Sequence, residues 1–447
     1  MHLINSSLNH ALRVPLAAEI HSRPFLQLDA PELITHLAVY KDDSAPGVSN
    51  MSAQHATLAA LCTHFGVTPP AAEAKYFYYD FGRFRLKWEC HTEFATYTFA
   101  EHPDAALPLE QAFERMPLEQ LPQQWLVGLK GKLMVAAHVV LEQATEPAEI
   151  FMQGLSRVFE GNTLAGSKVL QGGELWTDFT IQSDGFSRFV IRDAGMRSQQ
   201  SGRLVQRVLE IETYRMMALL GLPYAMQAAP SLNAIENELA TLAAAMVDTD
   251  DSAAVSKADE GVSEQALLDR ITRLAARIEK LSLDNSYRFS ASKAYMGLVK
   301  ARIDELREVR IEGIPTVEEF MDRRLTPAMN TCEAMASRQE AMAQRIANTN
   351  DLLRTRVGIV QELQNRQILQ SMNARAAQQL RLQQAVEGLS VAAISYYVIG
   401  LFSYTGKAAK VMGLPVNPEI LVGALVPFVA AAVWLGLRRM HHKLHTD

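Results

Sequence analysis

The chain has 447 residues, 48% of them hydrophobic, enough for two or three folding units with substantial cores. A net charge of −6, from 43 basic and 49 acidic residues, gives no basic footprint for nucleic acid, and no nucleic acid partner is expected. Its three cysteines, Cys62, Cys90 and Cys332, lie far apart without CxxC spacing, which argues against a zinc ribbon or disulfide scaffold and fits a reducing compartment.

The first twenty residues lack a basic stretch followed by an apolar core, so no secretory signal is expected and the large N-terminal part is expected in the cytoplasm. Residues 1–200 read as a mixed α/β domain. His21, Arg23 and Pro24 suggest a turn, structural or functional. Gln54–His64 predicts a helix. From Arg83 to Phe94 polar and apolar residues alternate strictly, the pattern of a half-buried strand. Its polar face holds Arg83, Arg85, Lys87, Glu89, His91 and Glu93. An exposed ladder of ion pairs explains that face most simply. The alternative is a divalent-metal site built from Glu89, His91 and Glu93, since one imidazole and two carboxylates can ligate such an ion. No other cofactor is expected. Lys132–Leu141 predicts another strand. Leu175–Gln182 and Phe186–Ile191 flank Ser183-Asp184-Gly185, and Asp-Gly signals a hairpin turn. Gly161–Lys168 (GNTLAGSK) approaches a phosphate-binding loop, but Ser167 and Lys168 are transposed and no helix pattern follows.

Residues 201–315 read as a helical region. A helix over Gly202–Leu220 is closed by Gly221 and Pro223. The acidic, small-residue stretch 248–261 predicts a surface loop, with helices resuming over Ser263–Lys280 and Ser286–Ile311. Gly313 and Pro315 break the chain. Thr316 and Glu319 then form a T-x-x-E capping box. After it no strong stop occurs until Tyr404, although Pro327 can kink the helix. A helix of that length would measure ~130 Å, and its segment 316–387 would lead to the membrane. Cys332, Met335, Met342, Ile346, Leu353, Val357, Val360 and Leu363 recur at near-heptad spacing, which requires partner helices.

Residues 388–437 predict a transmembrane hairpin with spans at 388–404 and 420–437, each free of charged residues. Arg438, Arg439 and Lys443 make 438–447 a basic tail. With Arg375 and Arg381 before the first span, this charge puts both termini on the cytoplasmic side of a bacterial inner membrane. Membrane lipid is thus an expected partner. On the first span Glu387, Ser390, Tyr397 and Tyr404 recur on one helix face, where they would line a wet path or bond between helices.

Four segments resemble a bacterial family of predicted membrane-anchored proteins classed as a domain of unknown function: HALRVPLAAEIHSRPF from His10, FGRFRLKWECHTEFATYTF from Phe81, GRLVQRVLEIETYRMMALLGLP from Gly202 and EGLSVAAISYYVIGL from Glu387. The resemblance implies a membrane location and carries no activity. The order of elements is also similar to the CorA-type magnesium channel family, which implies a homo-oligomer, a pentamer in that family. Its first span ends in Gly-Met-Asn. Here Tyr404-Thr405-Gly406-Lys407 keeps only the glycine and adds a cation. The expected fold is α+β: an N-terminal mixed α/β cytoplasmic domain, a helical bundle with one very long helix, and a C-terminal two-helix transmembrane hairpin in a CorA-like architecture. The expected function is that of a non-enzymatic, oligomeric, membrane-anchored sensor or scaffold. The alternatives are a CorA-like channel or transporter with altered selectivity and a membrane-tethered metal-dependent enzyme.

Overall fold

A computed structural model describes residues 9–14, 16–17, 24–41, 50–159, 162–251, 257–411 and 418–444. His21 and Arg23 lie outside them. The chain divides into two compact units: Met1–Val247 with Ile271–Asn348, and Asp248–Arg270 with Thr349–Asp447. The sequence boundaries at 200 and 315 both fall inside the first unit, because the helices after residue 200 pack on the sheet before it.

In the first unit the elements begin β1 (Glu32–Tyr40), α1 (Asn50–His64), β2 (Tyr76–Asp80), β3 (Arg85–Cys90) and β4 (Phe94–Glu101). Two short helices follow, α2 (Leu109–Glu114) and α3 (Gln123–Val127). Next come β5 (Lys132–Gln143), α4 (Ala148–Val158), β6 (Ala165–Val169), β7 (Gly173–Ile181) and β8 (Ser187–Asp193). The helical part holds α5 (Ser198–Leu219), most of α6 (Gly221–Asp251) and of α7 (Lys257–Leu306), then β9 (Val309–Arg310) and the start of α8 (Val317–Val411). The nine strands form one mixed sheet in the order β2-β3-β4-β1-β5-β8-β7-β6-β9. Among the described residues only β5 and β8 pair in parallel.

Both faces of the sheet are covered, which explains why β1 (ELITHLAVY) is buried along nearly its whole length. On one face Ile34, Val139 and Ile191 meet Leu204 and Val208 of α5, Phe289 and Ile303 of α7, and Val317 and Met321 of α8. On the other, α1 and α3 close over Trp88 and Phe99 with Leu58, Leu61 and Trp125. Beside them Phe151, Leu155 and Val158, one stripe of α4 at helical spacing, pack on Trp176 and Val190.

Local chemistry fixes the junctions. Asp193, ending β8, accepts from the Gly195 and Met196 amides at 2.9 and 2.7 Å and from the Ser201 hydroxyl at 3.2 Å, turning the chain into α5. Gly202 follows because a Cβ there would lie 1.7 Å from the Leu26 carbonyl oxygen. The β7–β8 turn falls where Asp-Gly predicts it, with Gly185 at φ +86° and the Phe186 amide bonded to Asp184 at 2.9 Å. The capping box of α8 is also present. The Glu319 amide donates to Thr316 Oγ1 at 3.2 Å, and the Thr316 amide to Glu319 Oε2 at 3.3 Å. Glu308 adds a second cap, accepting from the Val317 and Glu318 amides at 2.9 Å each. Thr316→Ala should therefore cost about 1 kcal/mol and speed hydrogen exchange at the Glu319 amide. Exchange unchanged there would mean that Glu308 alone holds the helix start.

Four sequence expectations need correction. The strand expected over Arg83–Phe94 is two strands with a turn at 91–93, where the His91 amide bonds to the Phe94 carbonyl at 2.8 Å. Alternation runs on across this hairpin, so periodicity alone hides it. Lys87, Glu89 and His91 of its polar face are also not exposed, since they lie beneath α5. Helix continues through most of the stretch expected as a loop at 248–261, α6 reaching Asp251 and α7 beginning at Lys257, with 252–256 outside the described residues. Asp, Ser, Ala and Lys mark a polar segment without forbidding a helix. The helix expected to reach Ile311 stops at Leu306, because Val309 and Arg310 pair with β6. As the missing helix pattern predicts, residues 162–164 lead into strand β6, with no helix to cradle a phosphate.

The near-heptad seam on α8 is buried at Cys332, Met342 and Ile346. Its partners in this unit are the two preceding helices: Arg338 reaches Asn233 and Glu236 on α6, and Lys293 of α7 lies 2.9 Å from Glu333.

In the second unit α8 continues to Val411, and α9 spans Pro418–Leu444. Among the described residues one helix is long and apolar enough to cross a membrane, within Val317–Ala408, and a shorter apolar stretch covers Val422–Gly436. The expected two-helix hairpin is therefore not shown, since the second stretch falls short of the ~20 residues a crossing needs. Of the four residues expected along a pore, Tyr397 and Tyr404 are exposed and Glu387 is half-buried. Ser390, also half-buried, donates to the Val386 carbonyl of its own helix at 2.8 Å.

A candidate ligand cavity under helix α5

A cavity of about 240 Å³ lies between the sheet and α5 in the first unit. Its sheet side is built from Lys87 and Glu89 of β3, Thr96 and Thr98 of β4, and His36 of β1. Side chains two apart on a strand share a face, so the alternation read from the sequence delivers Lys87 and Glu89 together. The helix side is Gly202, Val205, Gln206, Leu209, Glu210 and Thr213, three and four residues apart on one face of α5. Leu26, Leu28, His91, Phe94, Tyr214 and Arg302 complete it.

A chain of polar contacts crosses the cavity. Lys87 Nζ lies 3.2 Å from Glu89 and donates to Gln206 Oε1 at 3.1 Å. Gln206 donates onward to Glu210 Oε1 at 2.7 Å, and Glu210 pairs with Arg302. Arg302 and Arg207 then share Glu305 at 2.8 and 2.7 Å. The Lys87 side chain is 5% exposed, so these partners are what make its charge tolerable there. His36 bridges Thr98 and Thr213, at 2.8 Å from Nδ1 and 3.1 Å from Nε2. Burial, with Lys87 nearby, pushes its imidazole down to about 3. It stays neutral at physiological pH, one ring nitrogen donating and the other accepting.

The proposed metal ligands part company. Glu89 and His91 line the cavity. Glu93 pairs instead with Arg288 of α7, and it accepts from Tyr295 at 2.9 Å and Tyr40 at 3.4 Å. Among the described residues no group of three His, Cys, Asp or Glu is placed to hold a metal ion. The turn at 91–93 is the physical reason, because it breaks the common face that a continuous strand would have given all three. Of the expected ion-pair ladder only Lys87–Glu89 is present among the described residues, inside the protein rather than on its surface, while Arg85 pairs with Glu32 of β1 instead.

Sequence reasoning missed His36, Gln206, Glu210 and Arg302. A signal existed for the helix residues: Gln206, Glu210 and Thr213 interrupt the apolar face of α5 at the spacing that meets a polar strand. His36 sits inside an apolar run and Arg302 on a polar helix, and neither carries a local signal.

No curated protein matches this chain. Among solved structures it is similar to one described as the structure of the full-length CmaX protein, at 12% identity over 69% of this chain and 89% of that one. The TM-score of 0.17 is too low to show a shared fold. The model of a family described as protein of unknown function (DUF3422) matches residues 8–444, so the chain belongs to the DUF3422 family.

Proposed function

We propose that this is a non-enzymatic, membrane-anchored, oligomeric protein whose sheet-bearing unit senses a small molecule through the cavity under α5. The observation that carries the membrane reading is the second unit's uncovered apolar surface. The most apolar stretch within Val317–Ala408 has a mean hydropathy of 1.6, and only 6% of it is buried. Leu389 and Phe428 are each 74% exposed. Apolar surface on that scale requires a nonaqueous environment or a partner. Arg438, Arg439 and Lys443 then favour a cytoplasmic C-terminus. The CorA-like alternative keeps less support, since Lys407 is a cation where a cation-selecting mouth would stand.

Membrane fractionation tests this reading. The full chain should sediment with membranes, resist an alkaline carbonate wash, and be released by detergent. Release by carbonate alone would overturn it and turn attention to a protein partner covering the same surface.

A further inference from the structure

We propose that the cavity under α5 binds a small zwitterion, a molecule carrying one carboxylate and one ammonium group in the manner of a free amino acid. The inference rests on reading the cavity as a ligand site.

Charge balance is the first argument. Lys87 and Arg302 supply two cations to the lining, and Glu89 and Glu210 supply two carboxylates. A simple anion drawn to Lys87 would add a net negative charge to this balanced lining. A simple cation drawn to Glu89 or Glu210 would add a net positive charge to it. Uncompensated charge at such depth is costly. A zwitterion meets both signs of charge and adds no net charge.

Residual bonding capacity is the second. The Lys87 ammonium has three donors, of which Gln206 and Glu89 engage two. Arg302 engages Glu210 through Nε and Glu305 through Nη1, leaving further N–H groups of its planar fork. Each carboxylate oxygen can accept more than one bond. Both ends of the ligand therefore find groups with unused capacity. The apolar part of the lining, with Leu26, Val205, Leu209 and Phe94, would receive the ligand's carbon skeleton. A volume of about 240 Å³ limits that skeleton to metabolite size.

The test uses the full chain in detergent, with calorimetric titration and thermal melting. The panel holds the free amino acids and glycine betaine, their N-acetyl and carboxamide counterparts, and neutral polyols. At least one zwitterion should bind, and blocking either of its charged ends should weaken binding at least ~10-fold. Lys87→Met should lose binding by a similar factor. Glu210→Gln serves as a second variant if Lys87→Met does not fold, and it should weaken the zwitterion more than its N-acetyl counterpart, which has no ammonium to lose. Equal affinity for blocked and free forms, or binding confined to single-charge or neutral compounds, would overturn the zwitterion while leaving a ligand cavity. No binding across the panel, with Lys87→Met more stable than the parent, would overturn the ligand-site reading as well.

Discussion

Arg288→Met should cost about 3–5 kcal/mol of stability. Glu93 and Arg288 form an ion pair whose side chains are 3% and 5% exposed. Tyr40 and Tyr295 add hydrogen bonds to the carboxylate, and Arg288 donates to the Tyr40 hydroxyl at 3.0 Å. With the guanidinium gone, the carboxylate remains buried among phenols without its ion-pair partner. The penalty belongs to that stranded charge more than to the lost contact. Adding Glu93→Gln to Arg288→Met should therefore restore most of the loss, because an amide costs far less to bury. Urea unfolding of the full chain in detergent, followed by tryptophan fluorescence, would measure all three variants. A single variant within ~0.5 kcal/mol of the parent would mean that water reaches the pair.

Acidification should destabilise the fold below neutral pH, through His36 and His138. In an unfolded chain an imidazole takes up its proton near 6.5, whereas burial holds His36 down to about 3 and His138 to about 4. Between these values the unfolded state binds more protons, so stability falls as pH falls. Glu142 acts in the opposite sense. Burial, opposed by Arg192, pushes its carboxyl up to about 7 from an ordinary 4.5. It therefore keeps a proton in the folded state over that window, and its contribution is lost as pH rises. Counted over these three groups alone, two imidazoles against one carboxyl leave about one extra proton on the unfolded chain between pH 4.5 and 6. The expected slope is about 1.4 kcal/mol per pH unit. His138→Gln should bring it close to zero, and His36→Gln with His138→Gln should reverse its sign. Urea midpoints at pH 7, 6 and 5 would decide, and an unchanged slope in the double variant would reject the assignment.

Elements governed by local chemistry were legible in the sequence. The run Lys132–Leu141 gave β5, Asp184-Gly185 gave the β7–β8 turn, and Thr316 with Glu319 gave the start of α8. What escaped depends on partners distant in sequence. The polar face of β3 reads as a solvated ladder until α5 is laid over it, and only the polar positions Gln206, Glu210 and Thr213 hint at that cover. Glu93 looks like a companion of Glu89 and His91 because they are neighbours in the chain. Its true partner, Arg288, is 195 residues away and leaves no trace in any local pattern. The cavity was thus half visible: its strand residues were singled out, and its helix residues were not.

The order of elements also has a consequence for synthesis on the ribosome. The strands of β1–β4 lie within Glu32–Glu101 and those of β5–β8 within Lys132–Asp193, so eight of the nine strands emerge before any of the helices that cover the Ile34, Val139 and Ile191 face. The covering residues arrive from Leu204 to Met321. At ordinary rates of elongation roughly 5–20 s pass between Asp193 and Arg302. For that interval the nascent chain presents a nearly complete sheet with one apolar face bare. Early termination within α7 would leave a fragment with its strands paired and that face incompletely roofed, a natural substrate for chaperones and proteases.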